Sequence, residues 1–410
     1  MLDEKAAAAH CIGECAKHAG AAFAPHVERC LESLTSTHDY FHADVRGASC
    51  KALAGLVTAT AKAEGVPAWT KGCAAVSYAL PPSTRALLEK VVPILLDHFS
   101  SDDDKDTVAA ASEALSAICS LLGPAAATPL APQLAETATA LLSKSHACMH
   151  DEEEGDDDVD DEADHDGSLW ESVSDLLCML PKVMGDYYLM HFARLVPELL
   201  PYLDASHPAA DRSLAIGILA ESLHQLEASG AAYLPQVLPL ALRLSSDENT
   251  TARQNATFCL GILGQFGGPG GLEHMQAILT AIQPRLGDDE EDSVRDNAVS
   301  SLSRLVLSFG STLPLPSILP AIVGRMPLRA DSGENVACSR ALMAIAQDDA
   351  GRPHLAPHMP RVIEAFAEML LSGDKLATAE LQAELRAFLS WLLSVAPDVR
   401  ASLPPELQGL

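Results

Sequence analysis

A pattern of small and apolar residues recurs every 41 or 42 residues and constrains the fold of this 410-residue chain more than any other feature. In one copy, Val294, Ala298, Leu302 and Leu305 lie at i, i+4, i+8 and i+11, which is one face of an α-helix. Arginine follows the first of these positions, and an asparagine recurs beside the second. The other copies of the pattern begin at Val45-Arg46, Asp211-Arg212 and Ala252-Arg253, and Asn255 and Asn297 fall in register.

Each copy follows a second apolar segment that often carries proline, as at 92–96, 196–201, 234–239 and 319–322. A short polar turn such as 245–249 separates the two. Two helices in about 40 residues is the period of HEAT and armadillo repeats. An irregular helical bundle would not keep Arg and Asn in register over this distance. The sequence therefore predicts an all-α fold, an alpha-alpha superhelix (α-solenoid) of HEAT/armadillo-like repeats.

The same frame predicts the domain organisation. HEAT repeats are expected over 1–150 and 167–397, an acidic disordered loop over 151–166, and a C-terminal tail over 398–410. Residues 3–18 resemble an inner (B) helix without its outer (A) partner, which predicts that the chain is the C-terminal piece of something longer. Irregularities are expected at 64–82, around Trp69, and near 331–347, where Arg340 and Gln347 replace Ala and Leu. The predicted helix pairs are 23–64, 82–123, 129–185, 187–228, 231–266, 270–309, 314–348 and 353–395.

The charge balance limits the kinds of partner that the protein can bind. The chain has 27 Lys+Arg against 56 Asp+Glu, a formal net charge of −29, which argues against nucleic acid and anionic lipid as partners. The first residues lack the basic and apolar pattern of a secretory signal, and no apolar stretch is long enough for a membrane span. Ten cysteines, several within helical patterns, indicate a reducing compartment. The sequence predicts a soluble protein of the cytoplasm or nucleus.

The predicted acidic loop has no Lys or Arg. It is expected to remain unpacked between two helices and either to capture basic cargo as a flexible polyanion or to be a solvated loop without a partner. An EF-hand register from Glu162 places Val173 where a bidentate Glu is required, so calcium binding is not predicted. The acidic residues of the predicted loop are Asp151, Glu152, Glu153, Glu154, Asp156, Asp157, Asp158, Asp160, Asp161, Glu162, Asp164 and Asp166.

Few motifs suggest catalysis or a cofactor. Cys11, Cys15 and His18 share one face of the first helix, but a zinc site needs a fourth ligand and no Cys-x-x-Cys is present. His146, Cys148 and His150 suggest at most adventitious metal binding. The glycines of 264–271 lack a following Gly-Lys-Ser/Thr and indicate a turn between helices. No hydrolase or metalloprotease motif occurs, so no enzyme activity, cofactor or metal is predicted.

Three stretches and their spacing resemble the C-terminal HEAT repeats of importin-β-type (karyopherin-β) nuclear transport receptors. The order of the acidic run and of the segments around these stretches also fits that family over nearly the whole chain. The segments that carry the resemblance are 211–221, 252–263 and 294–298, with Asp3-Glu4-Lys5 and Met326-Pro327-Leu328.

The resemblance implies a nuclear import receptor that shuttles between cytoplasm and nucleus and carries basic cargo, typically histones and ribosomal proteins. It implies release by Ran-GTP, which this family binds mainly through N-terminal repeats that the chain lacks, and possible contacts with FG nucleoporins. The alternatives are a HEAT scaffold or adaptor outside transport and an acidic binder resembling a histone chaperone.

Polar residues of the B helices are expected to line a concave groove. Asparagines there would bond the backbone of an extended cargo chain, carboxylates its lysines, and an aromatic ring a lysine stem. The alternative is structural, with Asn255 and Asn297 joining an inter-repeat ladder with Arg253 and Arg295. The candidate cargo-binding residues are Glu221, Asn255, Phe258, Asp296 and Asn297.

Overall fold

The computed structural model describes residues 2–72, 80–149 and 159–409. Regular elements in this part of the chain are α-helices and short 3-10 turns. The chain divides into two compact units, Met1–Tyr202 and Leu203–Leu410. None of the described helices is both long and apolar enough to cross a bilayer.

Unit 1 alternates between two helical layers. Helices α1, α3, α5 and α7 pack one on the next and form the B layer of this unit. Helices α2, α4, α6 and α8 form the A layer, in which Pro93, Pro129, Pro132 and Pro197 lie inside helices. The helices of unit 1 are α1 (Leu2–Ala19), α2 (Val27–Thr35), α3 (Ala43–Glu64), α4 (Pro82–Ser101), α5 (Lys105–Leu122), α6 (Pro124–Leu142), α7 (Val159–Met184) and α8 (Leu189–Leu199).

Unit 2 repeats the arrangement. Its B layer contains α9, α11, α14, α16 and α19, each in contact with the next. The helices of unit 2 are α9 (Ala209–Leu226), α10 (Leu234–Leu244), α11 (Thr250–Phe266), α12 (Gly268–Glu273), α13 (Met275–Ile282), α14 (Asp292–Phe309), α15 (Leu315–Arg325), α16 (Asn335–Gln347), α17 (Arg352–Leu355), α18 (Met359–Leu371) and α19 (Ala379–Val395).

The recurring arginine links neighbouring repeats at three of its positions. In unit 1, Arg46 donates from Nε and Nη2 to the carboxylate of Asp102 at 2.9 and 2.8 Å, and from Nη1 to the carbonyl of Tyr40 in its own turn. Burial alone would raise the pKa of Asp102, but hydrogen bonds from His98 and Arg46 outweigh it and hold that pKa at about 2. The clamp ties the turn of one repeat to that of its neighbour.

In unit 2 the same position makes the same clamp twice. Arg212 forms a two-pronged pair with Asp247, both bonds 2.9 Å long. Arg253 pairs with Glu290 at 3.2 and 2.8 Å and donates to the carbonyl of Asp247 in its own turn. The register seen in the sequence therefore has a physical cause at Arg46, Arg212 and Arg253, which join their own turn to a carboxylate of the next repeat. Arg295 is an exception, because it pairs with Asp288 and Asp292 of its own repeat.

Small residues bring neighbouring B helices close. A Cβ added to Gly261 of α11 would lie 2.7 Å from the Cα of Ser301 in α14. The Ser301 hydroxyl donates to the carbonyl of Thr257 at 2.8 Å. Asn255 Nδ2 likewise donates to the carbonyl of Ser213 in α9 at 2.9 Å. Asn255 thus makes the inter-repeat contact that was the structural alternative for this position.

The predicted irregularity after α3 is a segment that we call the strap, residues 65–72. Trp69 Nε1 donates to the carbonyl of Ser120 near the end of α5 at 2.9 Å, and its side chain covers Gly123. The amide of Gly72 donates to the carbonyl of Val183 in α7 at 3.0 Å. The strap therefore supplies donors to two helix C-termini, where backbone carbonyls lack partners within the helix.

The predicted all-α repeat fold is confirmed, and the predicted helix pairs coincide with the A and B helices observed. The repeat pattern in the sequence is irregular near 331–347, yet the helix α16 forms there. Its Arg340 pairs with Glu384 of α19 at 2.6 Å. In the predicted tail, two 3-10 turns form at Pro397–Ser402 and Pro405–Leu407, and Leu403 and Leu407 are buried.

The disordered loop predicted for 151–166 requires a correction in its second half. Residues 159–166 form the first two turns of α7. Acidic residues are favourable at a helix N-terminus, where they oppose the positive end of the macrodipole, so this composition does not prevent a helix. Five of the acidic residues lie there, and the other seven, in 151–158, lie outside the described residues. The helical five are Asp160, Asp161, Glu162, Asp164 and Asp166.

Candidate binding surface

A segment of the chain itself, the 326–334 turn between α15 and α16, packs on one face of α14. Asp296 of α14 is fully buried, and its Oδ2 accepts the backbone amides of Arg329, Ala330 and Asp331 at 2.9 to 3.1 Å. Its Oδ1 accepts a 2.8 Å hydrogen bond from Nε of Arg325. One carboxylate thus organises the turn.

Further side chains along α14 hold the rest of the turn. Asn297 Nδ2 donates to Asp331 at 3.0 Å and to the carbonyl of Ser293. Arg304 Nη2 donates to both carboxylate oxygens of Glu334 at 2.8 and 2.9 Å, and Ser300 donates to the same carboxylate. Positions 296, 297, 300 and 304 share one helix face, so the turn lies lengthwise on α14.

This arrangement corrects the predicted roles of Asp296 and Asn297. Both residues were expected to bind a cargo chain, but in the structure they bind the protein's own turn. Asp296 is 0% exposed and Asn297 2%, and their polar atoms are engaged. Neither is accessible to a cargo peptide in this conformation, so they position the turn.

The ring of Phe258 also contacts side chains of the protein itself. The Arg304 guanidinium lies 5.1 Å from the ring centroid of Phe258, and the His224 ring meets the same ring edge to face at 5.5 Å. Phe258 is 8% exposed. The sequence analysis expected the stem of a cargo lysine on this ring, whereas in the structure Arg304 of the chain itself lies over it, so Phe258 supports the network.

Glu221 of α9 is a predicted cargo-contact residue whose side chain is partly exposed to solvent. Its side chain is 46% exposed and approaches His224 only loosely, at 3.9 Å. With Asp331 and Glu334 of the turn it forms the unit 2 acidic patch. Burial raises the pKa of the Asp331 carboxyl, and the charges of Glu334, Asp296 and Glu221 raise it further, although the bond from Asn297 opposes them. Because Glu334 is already paired with Arg304, Glu221 and Asp331 carry the remaining negative charge of this patch.

A second patch lies on the B layer of unit 1. Glu113 of α5 and Glu171 and Asp175 of α7 are exposed. Burial raises the pKa of Asp175, and the charges of Glu171 and Glu113 add to the effect. Lys51 of α3 pairs with Glu113 at 2.8 Å, in a contact open to solvent. We call Glu113, Glu171 and Asp175 the unit 1 acidic patch.

Sequence reasoning missed most of both patches, although one signal was available. Glu171 and Asp175 are like charges at i and i+4 of one helix, a pairing that destabilises an isolated helix. Asp331 and Glu334 lie in a turn, where helical periodicity carries no information about neighbours.

The described residues supply little for catalysis. They contain no group of three His, Cys, Asp or Glu side chains placed to hold a metal ion. Burial raises the pKa of Cys50, Cys119, Cys259 and Cys338 to about 12, so these thiols stay protonated. His146 is buried against the carbonyl of Phe99 at 3.0 Å, and His150 lies outside the described residues.

The fold and the patches define an α-solenoid of HEAT repeats with acidic surface on its B layer. No model of a known protein family matches the chain. Among curated proteins it is similar to importin-4 of Homo sapiens, with 28% identity over 405 residues that cover 97% of this chain and 36% of the relative. It is also similar to the probable importin subunit beta-4 of Schizosaccharomyces pombe, 25% identical over 419 residues that cover 99% of this chain and 38% of that protein.

Solved structures of Kap121p share the fold. A crystal structure of a Kap121p mutant matches with a TM-score of 0.70 and 14% identity, over 100% of this chain and 36% of that one. A crystal structure of Kap121p bound to RanGTP matches with a TM-score of 0.68 and 13% identity, over the same shares of both chains. The chain is thus similar to importins over nearly its whole length, and it spans little more than a third of the length of these relatives.

Proposed function

We propose that the chain is the cargo-binding HEAT-repeat region of a nuclear import receptor and that it binds Lys-rich segments of basic proteins such as histones and ribosomal proteins. The observation that carries the proposal is the pair of acidic patches, in each of which burial and neighbouring carboxylates raise the pKa of one aspartate, Asp331 in unit 2 and Asp175 in unit 1. Charges that repel within the protein attract a cationic ligand by the same field. The similarity to importins supports a role of this attraction in cargo binding, since the named relatives are importins.

The proposal includes shuttling between cytoplasm and nucleus, as expected for an import receptor. Ran-GTP is expected to act through repeats outside these 410 residues, so Ran-controlled release is not expected from this chain alone. FG nucleoporins are proposed as further partners. The 151–158 segment is proposed to add long-range attraction for basic cargo.

The test is binding of a fluorescent Lys-rich histone-tail peptide, measured by anisotropy at low and physiological salt. One variant, E221Q/D331N, removes two charges from the unit 2 patch, and another, E171Q/D175N, removes two from the unit 1 patch. Because an exposed ion pair contributes about 0.2–1 kcal/mol, each double variant should raise Kd about twofold to thirtyfold.

The matched control is D97N/E136Q, which removes two charges from exposed positions on α4 and α6 of the A layer. It changes the net charge equally and should leave Kd nearly unchanged. Equal weakening by all three variants would mean attraction by net charge alone, and the patches would not be sites. No saturable binding by the intact chain would overturn the cargo proposal and favour a scaffold role.

A further inference from the structure

Two exposed thiols lie side by side on α1, a helix that carries none of the patch residues. Cys11 and Cys15 are both exposed, and their Sγ atoms are 4.0 Å apart. Positions i and i+4 share one face of a helix, so the side chains point the same way. The neighbouring Glu14 and His18 pair with each other at 3.0 Å and leave the two thiols uncovered.

The two sulfurs are close enough for one atom to bridge them. Each cysteine has a single rotatable bond between Cα and Cβ, and rotation between staggered positions adjusts the sulfur separation without moving the helix. A bridging ligand must accept two sulfur donors, which is the preference of soft, thiophilic centres.

Other described cysteines are poorly suited to this chemistry. Cys148 is buried, with its pKa raised to about 11, mainly by burial. Cys30 of α2 is half-buried, and burial raises its pKa. Cys178 is also half-buried, and Cys73 lies outside the described residues.

We propose that Cys11 and Cys15 form a dithiol site that chelates a trivalent arsenical. With phenylarsine oxide, two As–S bonds replace the arsenic–oxygen bonding, and the two thiol protons leave with that oxygen as one water molecule. Arsenic stays trivalent, so the step needs no oxidant or reductant. The site is independent of the proposed transport function.

The test is titration of the intact, reduced chain with phenylarsine oxide, followed by intact mass and by counting of free thiols. One equivalent should bind and two thiols should disappear. Chelation makes the second bond intramolecular, so Cys11→Ser or Cys15→Ser alone should weaken binding about a hundredfold. Cys30→Ser and Cys73→Ser are matched controls that should bind as the unmodified chain does.

Circular dichroism of each variant checks that the helices remain. The proposal is overturned if the Cys11→Ser/Cys15→Ser double variant keeps its one equivalent. It is also overturned if either single variant binds like the parent, because a single thiol would then suffice, or if the folded parent binds none.

Discussion

At the residue scale, the Arg46–Asp102 clamp should be one of the costliest contacts to break in unit 1. Both side chains are largely buried, 13% and 6% exposed. Asp102→Asn keeps the shape but leaves the Arg46 charge without its partner, so it should lower the free energy of unfolding by about 3–5 kcal/mol. Urea denaturation measures this loss. Asp103→Asn, at a neighbour whose side chain is 87% exposed, should cost almost nothing.

The same carboxylate predicts a pH dependence. The pKa of Asp102 is about 2 in the folded chain against an ordinary value of 3.8. Its contribution to stability is therefore complete above pH 4 and is lost as the pH falls toward 2. The stability difference between parent and Asp102→Asn, measured by urea denaturation at pH 6 and at pH 3, should shrink at the lower pH. A constant difference would mean that Asp102 stabilises by shape alone.

Asp331 should show the opposite shift in a binding experiment. Its pKa is raised in the folded chain, so it becomes neutral at a higher pH than an ordinary carboxyl. Binding of the Lys-rich peptide should begin to weaken on acidification before ordinary carboxylates protonate, and Asp331→Asn should remove this early phase. Identical pH profiles for parent and variant would show that Asp331 does not face the peptide.

At the element scale, the strap and Gly123 form one testable unit. Gly123 has φ +65°, and an added Cβ would lie 2.2 Å from Cγ of Trp69. Gly123→Ala should cost about 1–3 kcal/mol for the backbone strain and more for the overlap with the indole. Trp69→Ala removes the overlap, so Gly123→Ala should cost less in that background. Thermal or urea unfolding of the four proteins measures the coupling, and strictly additive costs would contradict the packing described.

The elements show what sequence can and cannot determine. Helix pairs were predictable because 3.6-residue periodicity reports local structure, and because the in-register arginines Arg46, Arg212 and Arg253 make the same inter-repeat contact. The strap was visible only as an interruption, since its partners Ser120 and Val183 lie far along the chain. Asp296 was expected to bind a cargo lysine, but it accepts backbone amides of a turn 33 to 35 residues away, which periodicity does not identify.

At the scale of the whole molecule, the net charge of −29 should make stability and binding respond to salt in opposite directions. Salt screens the self-repulsion that destabilises a highly charged fold, so Tm should rise between about 10 and 150 mM NaCl. Peptide binding should weaken over the same range. Calorimetry and anisotropy on one preparation measure both. A falling Tm would mean that clamps such as Arg212–Asp247 outweigh the repulsion.

The strap also bears on how unit 1 comes apart. In a simple repeat array each repeat contacts only its neighbours. The end repeats can therefore unfold without disturbing repeats farther along the array. The strap leaves α3, fastens to α5 and reaches α7, and so joins repeats that are not adjacent. The strap should therefore oppose fraying of the end repeats, and a force applied to one end of this unit would be distributed over three repeats.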